Sequence, residues 1–136
     1  MHIHKTEEKP KNMGDYRDVV SFFRGKEKEV NSMQKYLQKN KEELIVHVPV
    51  EVDHYFADSI REVIDRRVQT EEISRLLFDF SDTKFMDSSG IGPLMGRYKL
   101  MKALGGEMYL INENERMKKI LMLSGIHKII PMEGNI

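Results

Sequence analysis

The sequence predicts a single α/β domain, a sheet with helices packed on it, behind a polar amino-terminal extension. Three observations predict this. Two apolar runs of strand length, Leu44–Val48 and Arg75–Phe80, flank a stretch in which Phe56, Ile60, Val63, Ile64 and Val68 recur at helical spacing. Strand-like and helix-like segments go on alternating after it, and strands that alternate with helices pair in parallel through right-handed crossovers. The length, 136 residues, suits one hydrophobic core and not two.

Residues 1 to 32 hold seven basic and six acidic side chains, and Val19-Val20-Ser21-Phe22-Phe23 is their one compact apolar patch. Lys9-Pro10-Lys11-Asn12 and Met13-Gly14-Asp15 act as breakers. So little apolar surface does not offset the entropy of ordering a chain, so the segment reads as a mobile tail carrying a short amphipathic helix, with the folded domain at 33–136. At 33 to 41 the local rules conflict. Val30, Met33 and Leu37 suit a helix face, whereas Lys39-Asn40-Lys41 before the next strand suits a hairpin turn.

Leu44-Ile45-Val46-His47-Val48 is a β-branched strand closed by Pro49. The helix after it sets Asp58, Arg61, Glu62, Asp65 and Arg66 opposite its apolar residues. Arg75–Phe80 is the second strand. A second helix runs through Ile91, Leu94, Met95, Tyr98, Met101 and Leu104, admits Pro93 in its first turn and stops at Gly105-Gly106. Met108–Ile111 is a third strand, Met117, Ile120 and Leu121 mark a third helix ending near Gly125, and Ile129-Ile130 before Pro131 reads as a short last strand.

Composition narrows the function classes. Twenty-two basic residues balance twenty-two acidic ones, which removes the electrostatic footprint of a nucleic-acid or anionic-membrane binder and leaves a protein or small-molecule partner. With no cysteine there is no disulfide, Cys-based zinc site or thiol nucleophile. No apolar run approaches the ~20 residues of a membrane span, and the first residues lack the apolar stretch of a secretion signal. A cytoplasmic protein is expected. His2 and His4 have no further metal ligands nearby and read as solvated, and the ten methionines read as core filler.

The site-like residues gather in Phe85-Met86-Asp87-Ser88-Ser89-Gly90-Ile91-Gly92, after the second strand and at the opening of the second helix. The first turn of a helix presents unpaired N–H groups and the positive end of the macrodipole. One reading is an N-cap from Asp87, Ser88 or Ser89, with Gly90 and Gly92 letting the helix approach the sheet. The other is a modification site, in which a phosphoryl group on Ser88 adds about −1.5 to −2 charge beside Asp87 and repels an acidic or apolar partner that docks on the bare hydroxyl.

Enzyme readings are weaker. The positions two before Ser88 and Ser89 are Met86 and Asp87, so a Gly-x-Ser-x-Gly elbow is absent. Gly90-Ile91-Gly92 lacks the residues of a P-loop and the spacing of a dinucleotide fingerprint. A relay of Asp53-His54 with Ser88 is the remaining hydrolase or nucleotide-enzyme alternative.

The junction, continued by Leu94-Met95-Gly96-Arg97-Tyr98-Lys99 and Gly105-Gly106-Glu107-Met108, resembles the sporulation anti-sigma F factor antagonists of the STAS superfamily. The resemblance reaches upstream to Met33-Gln34-Lys35-Tyr36 and Glu51-Val52-Asp53-His54, and downstream to Met122-Leu123-Ser124-Gly125-Ile126-His127-Lys128-Ile129-Ile130. General-stress antagonists are the nearest competing branch. The resemblance implies a STAS-like single domain, a mixed β-sheet with an antiparallel first strand pair, which favours a strand at 34 to 39. It implies a non-enzyme without cofactor that binds an anti-sigma factor serine kinase and so releases the sigma factor. Phosphorylation, at the position of Ser88, switches binding off, and a serine phosphatase resets the cycle. Asp53, Asp87, Ser89, Gly90, Ile91 and Gly92 correspond to the docking surface. Three features depart from the family: Pro49-Val50 where a glycine is usual before the Glu-x-Asp-His loop, Pro93 where an aliphatic residue is usual, and the extension itself, which is either an added regulatory segment or lies upstream of a true start at Met33.

Overall fold

Elements form where apolar side chains recur at one period and a cap or breaker closes the run. The computed structural model of the chain describes residues 14–133, so His2, His4 and the first breakers lie outside the described residues. In chain order come α1 (Tyr16–Met33), β1 (Leu37–Asn40), β2 (Glu43–His47), β3 (Glu51–Val52), α2 (His54–Thr70), β4 (Arg75–Asp79), β5 (Phe85–Met86), α3 (Ile91–Ala103), β6 (Glu107–Ile111), α4 (Glu115–Leu123) and β7 (Met132–Glu133). Short 3₁₀ turns occupy Gln34–Tyr36, Ser88–Gly90 and Ile126–Lys128.

The main sheet runs β1-β2-β4-β6-β7, antiparallel between β1 and β2 and parallel elsewhere, so it is the mixed sheet expected. Its parallel register places Leu44, Leu76 and Met108 in one row and Val46, Phe78 and Leu110 in the next. All six are buried, and they share one core with Ile60 and Ile64 of α2, Leu94 and Met101 of α3, and Met117 and Leu121 of α4. The helices therefore lie where the alternate residues of the strands point. Asp65 of α2 and Arg97 of α3 meet at 2.8 Å across the seam between their helices. Burial pushes the Asp65 carboxyl up and the Arg97 guanidinium down, with each opposing the shift of the other.

Three expectations need correction. Residues 34 to 36 are a 3₁₀ turn, and the strand begins only at Leu37. Ile129-Ile130 is not a strand. The Ile130 N–H bonds the Ile126 carbonyl at 2.9 Å, and its side chain is fully buried as a plug beneath that turn. The strand follows Pro131, whose carbonyl accepts from Leu110 N at 3.0 Å. Finally, the stretch read as a tail with a short helix holds the eighteen-residue α1, capped by Asp15, whose carboxylate accepts from Arg17 N at 3.0 Å. Lys26 bonds Glu62 of α2 at 3.2 Å, and α1 ends at the buried Met33.

The loop between β6 and α4 ties the upper ends of the strands together. Asn112, with φ 58°, donates to Asp79 Oδ1 at 3.2 Å, and Asn114 caps α4 while donating to the Thr83 carbonyl at 2.9 Å. Glu113 between them is 4% exposed, and neither carboxyl oxygen has a hydrogen-bond partner among the described residues. Burial raises its proton affinity, against smaller opposite pulls from its own nearby backbone N–H and then from Lys118.

Among the described side chains of α1 only Met33 is buried, and we propose that the domain tolerates loss of the rest of the helix. A chain starting at Met33 should melt within a few degrees of the full chain, whereas Met33→Ala should cost about 2 kcal/mol in urea unfolding. Glu113 carries a second test. Its folded form keeps a proton that the unfolded chain releases above the ordinary glutamate value of 4.5, so its contribution is intact below that value and is lost as pH rises through the raised folded one. Glu113→Gln should melt higher than wild type at neutral pH, with the difference vanishing in acid; an equal or lower melting temperature at neutral pH would contradict it.

Candidate functional site

Two dipeptides build the site. β3 and β5 pair in parallel outside the main sheet, Glu51 beside Phe85 and Val52 beside Met86, and the Val50 carbonyl receives the N–H groups of Lys84 and Phe85 at 2.8 and 3.0 Å. An aspartate follows each strand immediately. Asp53 caps α2 by accepting from Phe56 N at 2.7 Å, and Asp87 caps the Ser88–Gly90 turn by accepting from Ser89 N at 2.8 Å. The register therefore sets two capped helix starts side by side, and α2 touches the turn.

The two serines differ. Asp87 also accepts a short hydrogen bond from the Ser89 hydroxyl. That bond, then the Ser89 N–H, with a smaller contribution from His54, holds the Asp87 carboxyl below its ordinary value, so it is charged at neutral pH. The Ser88 side chain is exposed and makes no hydrogen bond to the described residues. Asp53, Asp87, Ser88, Ser89 and Gly92 form an exposed surface, with Ile91 half-buried and Gly90 buried beneath it.

The glycines part company as well. A Cβ on Gly90 would lie 2.6 Å from Met86 Sδ and 3.6 Å from Val52 Cγ1, so this glycine lets the turn settle on the β3–β5 pair. Nothing lies within 4 Å of a Cβ on Gly92, which corrects the expectation that both serve the approach to the sheet. The relay of Asp53, His54 and Ser88 is not assembled: Asp53 is a cap, His54 Nε2 lies 3.2 Å from Asp58, and Ser88 bonds neither. His47 bridges the sheet between Gln38 at 2.8 Å and Asp79 at 3.3 Å. Pro93 is the third residue of α3, where no helical acceptor waits for the N–H it lacks. Among the described residues no His, Asp and Glu cluster is placed to hold a metal, and no helix is long and apolar enough to cross a membrane.

Sequence reasoning missed the neighbouring groove. A hollow of about 740 Å³ lies between the β3–β5 pair and α4, and Asp87 forms part of its wall. Phe85 is 54% exposed, and the Arg116 guanidinium stands 5.4 Å from its ring centre. The signal available was Arg116 and Lys119, three residues apart on the exposed side of α4, with Ile120 at the margin of the core that Met117 and Leu121 fill.

Comparison with known proteins places this geometry. The STAS domain model matches residues 34–136. The chain belongs to the STAS domain family. Among its STAS relatives, an anti-sigma F factor antagonist of Paenibacillus polymyxa is 34% identical over 104 residues, 76% of this chain and 89% of that protein. An anti-sigma-B factor antagonist of Bacillus subtilis is 30% identical over 98 residues, 72% of this chain and 88% of that one. The anti-sigma factor antagonist SpoIIAA, solved unphosphorylated, superposes with a TM-score of 0.67 at 26% identity, covering 74% of this chain and 86% of its own; its phosphorylated form gives 0.62 at 27%, covering 74% and 89%. The match begins at residue 34, one residue after α1 ends.

Gly90→Ala must displace the buried Met86 side chain and should cost about 1–3 kcal/mol in denaturant unfolding. Gly92→Ala meets open space and should leave stability within about 0.5 kcal/mol of wild type, apart from a small helix-propensity gain. Equal losses in the two variants would remove the packing account of Gly90.

Proposed function

We propose that this STAS protein is an anti-sigma factor antagonist governed by phosphorylation of Ser88. Unmodified, it binds an anti-sigma factor that is also a serine kinase and thereby releases the sigma factor; the kinase then phosphorylates Ser88 and lets go, and a serine phosphatase restores the hydroxyl. The observation that carries this reading is the contrast between the two serines, one hydroxyl tied to Asp87 and the other exposed and unbonded at the meeting of two helix starts. The antagonist relatives and the likeness to SpoIIAA in both phosphorylation states support it.

The electrostatics give the switch its direction. A phosphoryl group brings about −1.5 to −2 charge at neutral pH to a surface that already holds the ionised Asp87, with Asp53 on the neighbouring helix start. Both aspartates are fixed by caps, so neither swings away to relieve the repulsion. The fold itself is indifferent, since the added group faces water. In this reading the chain contributes a hydroxyl and a docking surface of Asp53, Asp87, Ser89, Ile91 and Gly92, shaped from below by Gly90. It catalyses nothing, holds no cofactor and works in the cytoplasm. Resemblance and relatives favour the sporulation branch over the general-stress branch.

Three variants test the switch. Ser88→Ala should fold, bind the host's anti-sigma factor kinase and stay bound, because it has no acceptor oxygen. Ser88→Asp should bind at least several-fold more weakly, while one carboxylate only partly imitates a phosphate. Ser89→Ala should still take up one phosphate. Mass spectrometry after incubation with kinase and ATP, paired with a binding titration, reads all three; label on Ser89 with Ser88 intact, or Ser88→Asp binding as tightly as wild type, would overturn the assignment.

A further inference from the structure

We propose that the imidazolium of His54 is the intramolecular counter-ion of phosphorylated Ser88, holding the phosphate across the two helix starts and over the ground that a docking partner needs. This rests on the reading of Ser88 as the phosphoacceptor and adds to it the partner that the modified side chain finds within its own chain.

The β3–β5 register puts the two groups together. Val52 pairs with Met86, Asp53 and Asp87 follow as caps, and His54 and Ser88 come next, each the first residue of its helical segment. α2 packs against the Ser88–Gly90 turn, and both residues are exposed there. The His54 side chain is 70% exposed, and its Nε2 reaches forward to Asp58 at 3.2 Å. Ion pairs that open to water are weak and exchange readily. The charge of His54 also reaches across to the neighbouring start, where it helps to hold the Asp87 carboxyl ionised. The basic groups that other helices bring to α2 are engaged further along it, Lys26 of α1 with Glu62 and Arg97 of α3 with Asp65, roughly 12 Å or more down the helix.

Phosphorylation changes what His54 faces. A hydroxyl offers one neutral hydrogen bond, whereas a phosphoryl group of about −1.5 to −2 charge offers three acceptor oxygens and outcompetes the single carboxylate of Asp58. Asp53 and Asp87 do not draw the imidazole away, since backbone N–H groups already engage both carboxylates as caps. Asp53 and Asp58 on the imidazole's own segment, Asp87 on the turn and the phosphate itself are all anionic, so the cation relieves the crowding of negative charge. An unperturbed imidazole titrates at about 6.5 and a phosphoserine, for the second time, at about 6, so the charge of each sets the proton equilibrium of the other.

The test installs phosphoserine at position 88 by genetic encoding, so that it runs without any kinase. Followed by phosphorus NMR at low ionic strength, the second ionisation of the phosphate should have its midpoint lower than in the His54→Gln chain by about half a pH unit. His54→Lys restores a cation and should bring the midpoint back to the wild-type value or below it. His47→Gln removes an imidazole held elsewhere, between Gln38 and Asp79 on the main sheet, and should leave the midpoint unchanged. By linkage, the His54 ring should titrate at higher pH with the phosphate present than without it. His54 is exposed, so the unmodified variants should match wild type in circular dichroism and melting. Equal midpoints in wild type and His54→Gln, or as large a change with His47→Gln, would refute the pair and leave the Ser88 switch standing. If the host's anti-sigma factor kinase places no phosphate on Ser88 of the wild-type chain, the switch falls and the pair falls with it as a regulatory contact.

Discussion

The parallel pairing of Glu51-Val52 with Phe85-Met86 is the constraint on which the site depends. Each strand is too short to be stable alone, yet the pair is anchored at one end by the Val50 carbonyl and packed from the other by the close approach of Gly90 to Met86 and Val52. Because Asp53 and Asp87 each follow a paired residue, the ladder that aligns the strands also aligns the caps. One-residue slippage would turn one aspartate to the opposite face and separate the helix starts. The main sheet supports the pair through the core that Val52 and Met86 share with its strands, and through Thr83, whose hydroxyl donates to the Val48 carbonyl, and Asn114, which holds the Thr83 carbonyl.

What the sequence disclosed follows the length of each periodic signal. α2 and α3 repeat their apolar positions over several turns, and β2, β4 and β6 carry five residues each, so all were legible to within a residue or two. β3 and β5 have two residues apiece, too few for any period, and the groove they border was invisible for the same reason. Ile129-Ile130 misled because an apolar pair before proline looks like a strand end, whereas only tertiary packing reveals that Ile130 is a plug. α1 was underestimated since Val19, Val20 and Phe22 are only half-buried; their partner surface lies on α2, far along the chain. The motif pointed to Ser88, but that Ser89 is occupied by Asp87 depends on a side-chain geometry that spacing does not encode.

Rigid support and an exposed hydroxyl are complementary requirements here. α2 and α3 share a core and are pinned to each other by Asp65 and Arg97, so the surface that carries Ser88 would not need to move for the proposed switch to change its affinity. A chain of zero net formal charge adds no net-charge attraction or repulsion at long range, so the local arrangement of charge carries the electrostatics that an approaching protein meets.

The sheet margins have a consequence for the manner of association. β1 has four residues, and Lys39 on it reaches across to Glu71 at 3.3 Å; at the far side β7 contributes only two residues among those described. Edges this brief and this charged offer poor templates for an added strand. A visiting protein therefore gains almost no main-chain zipper, and its grip is made of side chains and helix ends alone. Such a grip has no ladder to unravel, so in the proposed switch a single covalent change at one hydroxyl would be enough to let the visitor go.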